Sequence, residues 1–586
     1  MLEVDAGQFA PVAFGSLRKV FAVLQDHAPS IFAEHLRRRP AEWSRLLPGS
    51  VQGAPDLSDL ALSPSERRLH KESEQVFRIL NAGASLMVEV LRDTGCTLRV
   101  LNVGEADLVS LRGLVRAAEW AGLEGVAEGL QLSGFGARRH HASAWFEPRR
   151  REYLDALRRR LRLPLQERPD GPEARRSPEA PVDHEGRYLH AVLDEQADPA
   201  RRIAAALLTT RTCFFSTNEE GTLLASEKAL GLLDTYGAGL SLSGIQRAWD
   251  DLDQGFSNAA VELDRGDLED LETIRGILLR RAGVAHAYTD EFPLALRRFA
   301  QGSELNLRPE RRAELMNYHA ICAIKRVKDA DAGLAELKAA YALIADRTTP
   351  EARLQRAWLH NGLALVYWNR GQLDLAFNEV NQAAALAGDL HGPAATHAKI
   401  NLLSNISVLQ ETAKRYDAAV ETWSKFERVS RGWGANFDKH YRYRLGGLSL
   451  KQGDTSGSLA QYAEAFAKTR ELQDDFYAHR IALELGTHRL RAGEKEAAAL
   501  WFGEALQSAR ELGEPLGIAQ AMAGTVLARG GSDFSEATAP LRASTTYAAA
   551  AASLQQALDA GRPEGIAAHL PSPRSKLNLP YAPVNL

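Results

Sequence analysis

Asn317, Asn361, Asn369, Asn401 and Asn405 offer the most specific chemistry in this 586-residue chain. An asparagine amide presents a donor and an acceptor together, which is the complement of a peptide unit's C=O and N–H. Asn401 and Asn405 are four apart and share one face of any helix that carries them. Trp368 and Ser404 stand beside this set. Further along come His440, Tyr443, Arg444 and Lys451, then Arg480 and Arg491, whose donors and positive charge suit an acidic segment or a free carboxylate. No Ser/His/Asp, Cys/His or paired-carboxylate constellation emerges from spacing, so no catalytic residue is assigned; a triad assembled in space would escape this reading. The adjacent His140 and His141 lack a second pair at metal-ligand spacing, so no metal and no cofactor is assigned either.

Bulk properties narrow the class. The length corresponds to about three to four units of domain size. The composition, 45% hydrophobic and 25% charged, is that of a folded protein. A net charge of -4 gives no global affinity for nucleic acid or an anionic membrane. Cys96, Cys213 and Cys322 are isolated and never form a CxxC, which fits a reducing compartment. The N-terminus has no apolar core of signal-peptide length, and no apolar run reaches about eighteen residues. These points lead to a cytoplasmic protein without a membrane span as the expectation.

The elements that would position the asparagines show up as a repeat. In "LALVYWNRGQLDLAFNEVNQAAAL" (363–386) the turn glycine Gly371 is preceded by Ala364 and followed by Ala376 and Ala383. Anchoring on Gly453 and Gly493 finds Gly446 and Gly486 before, and Ser458, Ala465, Ala498 and Ala505 after. Copies without a turn glycine contribute Gly283 and Ala295, then Ala323, Ala335, Ala339 and Ala342, then Ala419. The second-helix small position therefore runs 295, 335, 376, 419, 458, 498. Two antiparallel helices approach closely only where small residues face each other, and such pairs must stack to bury their apolar faces. Tyr367, Phe299, Trp423 and Phe502 are expected to fill the space between pairs.

These offsets resemble the tetratricopeptide repeat, with a period near forty instead of about 34 residues. That is similar to the long-period superhelices of the maltose-regulator type and of Rap-type peptide sensors. The fold expected is mainly α: an α-α superhelix of tetratricopeptide-like pairs behind a smaller N-terminal helical or α/β domain. The divisions are an N-terminal domain (1–162), a Pro/Glu/Arg-rich linker (163–186), lead-in helices (187–265), the solenoid (266–560) and an extended Pro-rich tail (561–586). The resemblance places first-helix residues on a concave groove, where asparagines of this kind clamp an extended peptide. A non-catalytic scaffold or regulator with a protein or peptide partner, an acidic segment included, is the function it implies. Oligomeric state is not legible.

Two features leave other readings open. "CTLRVLNVGEADLVSLRGLVRAA" (96–118) reads as a strand, an acidic pair (Glu105, Asp107) and a helix. It resembles the Walker B strand and helix of signalling ATPases with tetratricopeptide-like C-terminal halves, yet no G-x-x-x-x-G-K-[ST] cradle exists in the chain. On that reading the front domain would act on, or support a reaction of, a substrate held by the solenoid. The second feature is "ARRHHASAWFEPRRREYLDALRRRLRL" (137–163), where arginines gather near Trp145 and Phe146. This would suit a nucleic-acid-linked regulator, although a solvated helix end is the commoner outcome and nucleic acid is disfavoured as a partner.

Overall fold

A computed structural model describes residues 1–54, 56–60, 74–139, 141–161, 183–253, 263–430, 436–542 and 547–560. The front domain runs β1 (Leu2–Asp5), α1 (Gly15–His27), α2 (Pro29–Arg38), α3 (Pro40–Leu46), α4 (Leu57–Leu60), α5 (Glu74–Thr94), β2 (Leu98–Leu101), α6 (Leu108–Leu123), β3 (Leu130–Leu132) and α7 (Glu147–Arg160). Its three short strands form one parallel sheet in the order β1-β2-β3, with helices as the crossovers that parallel pairing requires. α5 stops at Gly95, whose positive φ of 63 ends the helix. Ser65, a residue type suited to cap a helix start, lies outside the described residues.

The lead-in is α8 (His184–Leu193), α9 (Pro199–Ser216), α10 (Glu219–Tyr236) and α11 (Leu242–Leu252). Asp183 caps α8 by accepting from Gly186 N, so the end of the linker already belongs to a helix. Asn218 caps α10 in the same way, accepting from Gly221 N. The solenoid follows as antiparallel pairs. They are α12 (Leu271–Tyr288) with α13 (Phe292–Ser303), α14 (Pro309–Cys322) with α15 (Ala330–Ile344), and α16 (Pro350–Asn369) with α17 (Leu373–Ala387). Next come α18 (Pro393–Thr412) with α19 (Tyr416–Ser430), α20 (Asn436–Lys451) with α21 (Thr455–Glu471), and α22 (Asp475–Arg491) with α23 (Lys495–Leu512). α24 (Pro515–Ala528), α25 (Ser535–Arg542) and α26 (Ala548–Asp559) close the stack. The extended tail predicted for 561–586 lies outside the described residues. The chain is thus a tetratricopeptide-like α-α superhelix with a small α/β domain in front.

Each pair turns on one residue of positive φ: Asp290, Lys328, Gly371, Lys414, Gly453 and Gly493. Five positions later stand Ala295, Gly333, Ala376, Ala419, Ser458 and Ala498, every one buried. One copy corrects the sequence register. Ala335, Ala339 and Ala342 face outward, and Gly333 is the small residue at the contact, its Cα so close to Ile324 that a Cβ would lie 2.3 Å from that side chain. Lys328 follows a π-helical turn over Ala323–Val327 and stands five positions before Gly333, the same offset as in the other pairs.

The large residues fill the space between pairs as expected. Phe299 lies on Gly283 of its own pair and stacks on Tyr318 of the next at 5.9 Å, and Phe502 is held between Gly486 of its own pair and Gly524 of the next helix. A Cβ at Gly486 would lie 2.7 Å from the Phe502 ring. Gly486→Val is therefore expected to lower stability by about 1–3 kcal/mol through overpacking. A shift of the urea midpoint reads this directly, and an unchanged midpoint would show that the ring moves aside freely.

The front domain does not stand apart. Its core runs without interruption into α22–α26, joining Leu80, Leu86 and Trp120 to Phe502, Leu516 and Leu554. Trp120 Nε1 donates to Tyr547 Oη at 2.9 Å. At the other end Arg18 pairs with Asp183 at 2.6 Å, and Arg139 and Arg150 both pair with Glu220 at 2.8 Å. The front domain thus contacts both the lead-in helices and the last repeats.

Candidate functional site

Four of the predicted asparagines converge. Asn317, Asn361, Asn401 and Asn405, with Trp368, line one cavity of about 230 Å³ between α14, α16 and α18. Trp358, Ile321 and Lys325 complete its walls, and Ala364, Leu365, Val380, Val408 and Leu409 supply apolar surface. The spacing argument succeeds here because these helices run in register, so equivalent faces line one side of the superhelix.

Within the cavity the amides are pre-arranged. Asn405 Nδ2 donates to Asn361 Oδ1 at 2.8 Å, leaving the Asn361 NH₂ and the Asn405 carbonyl for a further partner. Asn401 Nδ2 lies 3.4 Å from His397 Nε2, which orients it from its own helix. Asn317 is 4% exposed, and no hydrogen-bond partner is found for its Oδ1 among the described residues. A buried amide oxygen without a partner costs about 1–3 kcal/mol, which a ligand or an ordered water would recover. The π turn that follows Asn317 is a second departure from regular structure at the same place, since such turns concentrate at functional sites. Trp368 remains 39% exposed at the cavity mouth.

The remaining predicted residues fall elsewhere. Asn369 is exposed at the end of α16 and Ser404 is half-buried; neither lines the cavity. The basic stretch is consumed internally. Arg444 and Lys451 both donate to the buried Glu411 of α18, and Arg480 is buried, donating to Phe476 O at 2.7 Å with Glu514 3.7 Å away. An acidic segment is the partner that the sequence suggests for these residues. They are instead counter-ions for carboxylates that one-dimensional spacing could not pair with them. Tyr443 is buried, and burial pushes its phenol well above the ordinary value. His440 meets Tyr477 edge-on at 4.7 Å, and Arg491 is exposed.

The start of α5 occupies this end of the repeats. Phe77 joins the apolar cluster of Tyr443, Tyr462, Phe476, Tyr477 and Ile481. Tyr477 Oη donates to Glu74 at 3.1 Å, Lys439 Nζ donates to Leu60 O at 2.7 Å, and Arg78 lies 3.0 Å from Asp474. Nearby Glu484 is pushed up to about 7 by burial, and burial takes His488 down to about 4. Sequence reading missed Trp358, Val408 and Leu409. Trp358 is signalled only by lying three residues before Asn361 on one helix face.

The acidic pair of the front domain is internal architecture. Asp107 is fully buried and caps α6, accepting from Ser110 N at 2.8 Å, Phe14 N at 3.1 Å and Gln8 Nε2 at 2.6 Å. The loop after β1, where a phosphate cradle would stand, is therefore tied down by Asp107 itself. Glu105 is buried, and its carbonyl accepts from Arg139. In the Arg-rich stretch, Arg139 and Arg150 are buried on Glu220, Arg149 stacks on Tyr153, and Arg151 pairs with Glu147. His140 and Arg162 lie outside the described residues. Among the described residues no group of three or more His, Cys, Asp or Glu side chains is placed to hold a metal ion, and no helix is long and apolar enough to cross a membrane.

No family model and no curated protein sequence matches the chain. Solved structures similar to it include a signal transduction ATPase with numerous domains bearing a tetratricopeptide repeat sensor, from Pyrococcus horikoshii. It is 12% identical, over 97% of this chain and 91% of that one, with a TM-score of 0.42. Yeast Tom70 is 13% identical over 93% of this chain and 96% of its own, at a TM-score of 0.37. Aspartyl phosphate phosphatase F from Bacillus subtilis is 13% identical over 62% and 94%, at 0.34. At such identities the similarity concerns fold alone, and the fold is the tetratricopeptide-like superhelix already described.

Proposed function

We propose that the chain is a non-catalytic scaffold or regulator that holds an extended segment of a peptide or protein in the cavity between α14, α16 and α18. The observation that supports this is the Asn361–Asn405 pair. The two amides fix each other and leave one donor group and one acceptor, the set a peptide unit needs. Asn317 and Asn401 extend the same polar track on either side, above apolar surface that would take side chains.

Peptides selected on the wild-type chain from a random displayed library should bind the triple variant Asn361→Ala, Asn401→Ala, Asn405→Ala about 100-fold more weakly. Each lost hydrogen bond is worth about 0.5–1.5 kcal/mol. Fluorescence polarisation of a labelled selected peptide measures the ratio. Equal affinity for both proteins would remove the groove assignment and leave the fold intact.

A further inference from the structure

We infer that this cavity selects its peptide by a bulky uncharged apolar side chain, and that the segment it holds is neutral rather than acidic. The inference rests on the peptide-binding reading and names the class of ligand.

Charge is the first ground. Thirteen side chains line the cavity and Lys325 alone among them is ionisable. The basic residues further along the chain do not line this cavity, and three of them are engaged internally. Arg444 and Lys451 serve Glu411, and Arg480 is buried beside Glu514. A carboxylate entering among Asn317, Asn361, Asn401 and Asn405 would lose its water and meet Lys325 as the one cation lining the cavity, too few charge partners to offset desolvation. Neutral amides satisfy peptide groups instead, since each supplies a donor and an acceptor at no ionic cost.

Shape is the second ground. A volume of about 230 Å³ falls below the roughly 300 Å³ at which drug-sized pockets begin. It suits one large side chain with its adjoining peptide units. Leu365, Val408 and Leu409 provide the apolar surface such a side chain would cover, and Trp368 at the mouth provides a partly exposed aromatic face. The amides then position the main chain, and the apolar surface reads one residue.

The test uses a positional-scanning library of end-capped hexapeptides on the full-length chain, with binding read by fluorescence polarisation. One position should favour Leu, Met, Phe or Trp over Ala by about 10- to 100-fold, the range expected for burying one such side chain. The same position should reject Asp, Glu, Lys and Arg. Affinity should change less than threefold between 50 and 500 mM NaCl. Trp368→Ala, a change at an exposed position, should weaken binding of the preferred peptides about tenfold without altering the melting temperature.

Enrichment of Asp or Glu at any position, or affinity falling steeply with salt, overturns the inference and leaves peptide binding standing. Absence of saturable binding by every hexapeptide overturns peptide binding itself. Concentration-dependent self-association that Trp368→Ala abolishes would assign the face to a second copy of the chain and also overturn it.

Discussion

Asp474→Ala is expected to cost about 3–5 kcal/mol of folding stability and to raise amide hydrogen exchange along α5. Asp474 is fully shielded at the start of α22, where it caps the helix, accepts from Lys439 Nζ and forms an ion pair with Arg78 Nη1 at 3.0 Å. Burial alone would raise its carboxyl, but Arg78 and Lys439 beside it hold it below the ordinary value. Removing it strands two cations, Lys439 with a wholly buried side chain and Arg78 with one 3% exposed, although Glu42 still accepts from Arg78 Nε at 2.7 Å. An unpaired buried charge carries nearly its full desolvation penalty, which is why breaking the pair costs more than never having built it. The double variant Asp474→Leu, Lys439→Met should recover the part of the loss due to Lys439, because apolar groups of similar size need no partner there, while Arg78 keeps Glu42 and the cap of α22 stays lost. Urea unfolding gives the energies, and exchange at residues 74–94 gives the location. A loss under 1 kcal/mol for the single variant would show that water reaches Lys439 and that α5 is not seated as described.

That network also shows where sequence reasoning ends. The repeat was legible because its cause is local. A turn residue at Gly371, Gly453 or Gly493, followed five positions later by Ala376, Ser458 or Ala498, lies within one helix pair. The single misplaced copy, Ala335 for Gly333, failed where no turn glycine anchors the offset, since Lys328 takes the positive φ there. The asparagine cavity was legible for the same reason as the repeat, since equal faces of successive helices recur at equal offsets. The basic residues were not, because their meaning lies in partners from other elements. Arg444 and Lys451 meet Glu411 in the preceding pair, and Tyr477 meets Glu74 some four hundred residues away. Likewise the Glu105/Asp107 pair was visible as a motif, but only the folded loop at Gln8–Ser16 shows Asp107 spending its acceptors internally.

Glu185→Gln should raise stability by under about 1 kcal/mol at pH 5 and by about 3 kcal/mol at pH 8. Glu185 is 3% exposed and ties the loop before α1 to α9 and α10, accepting from Ala13 N, Ser216 Oγ and Asn218 Nδ2, each at 2.6 Å. Burial, and next the nearby Asp183, push its carboxyl from 4.5 to about 7. The native state therefore keeps a proton that the unfolded chain has released between those two values. Native protein binding more protons means stability falls as pH rises. The contribution is full below about 4.5 and lost as pH passes 7. When protonated, Oε2–H can donate to Ser216 Oγ, whose own proton turns to Cys213 O at 3.3 Å, while Oε1 still accepts from Ala13 N and Asn218 Nδ2. A glutamine amide reproduces that pattern at every pH. Other groups bend the raw profile: burial carries Glu484 up to about 7 and takes His479 and His488 down to about 4. The difference between wild type and variant cancels them and isolates Glu185. Parallel curves from pH 5 to 8 would mean that this carboxyl ionises at its ordinary value and that the loop is held by an ionised carboxylate across the whole range.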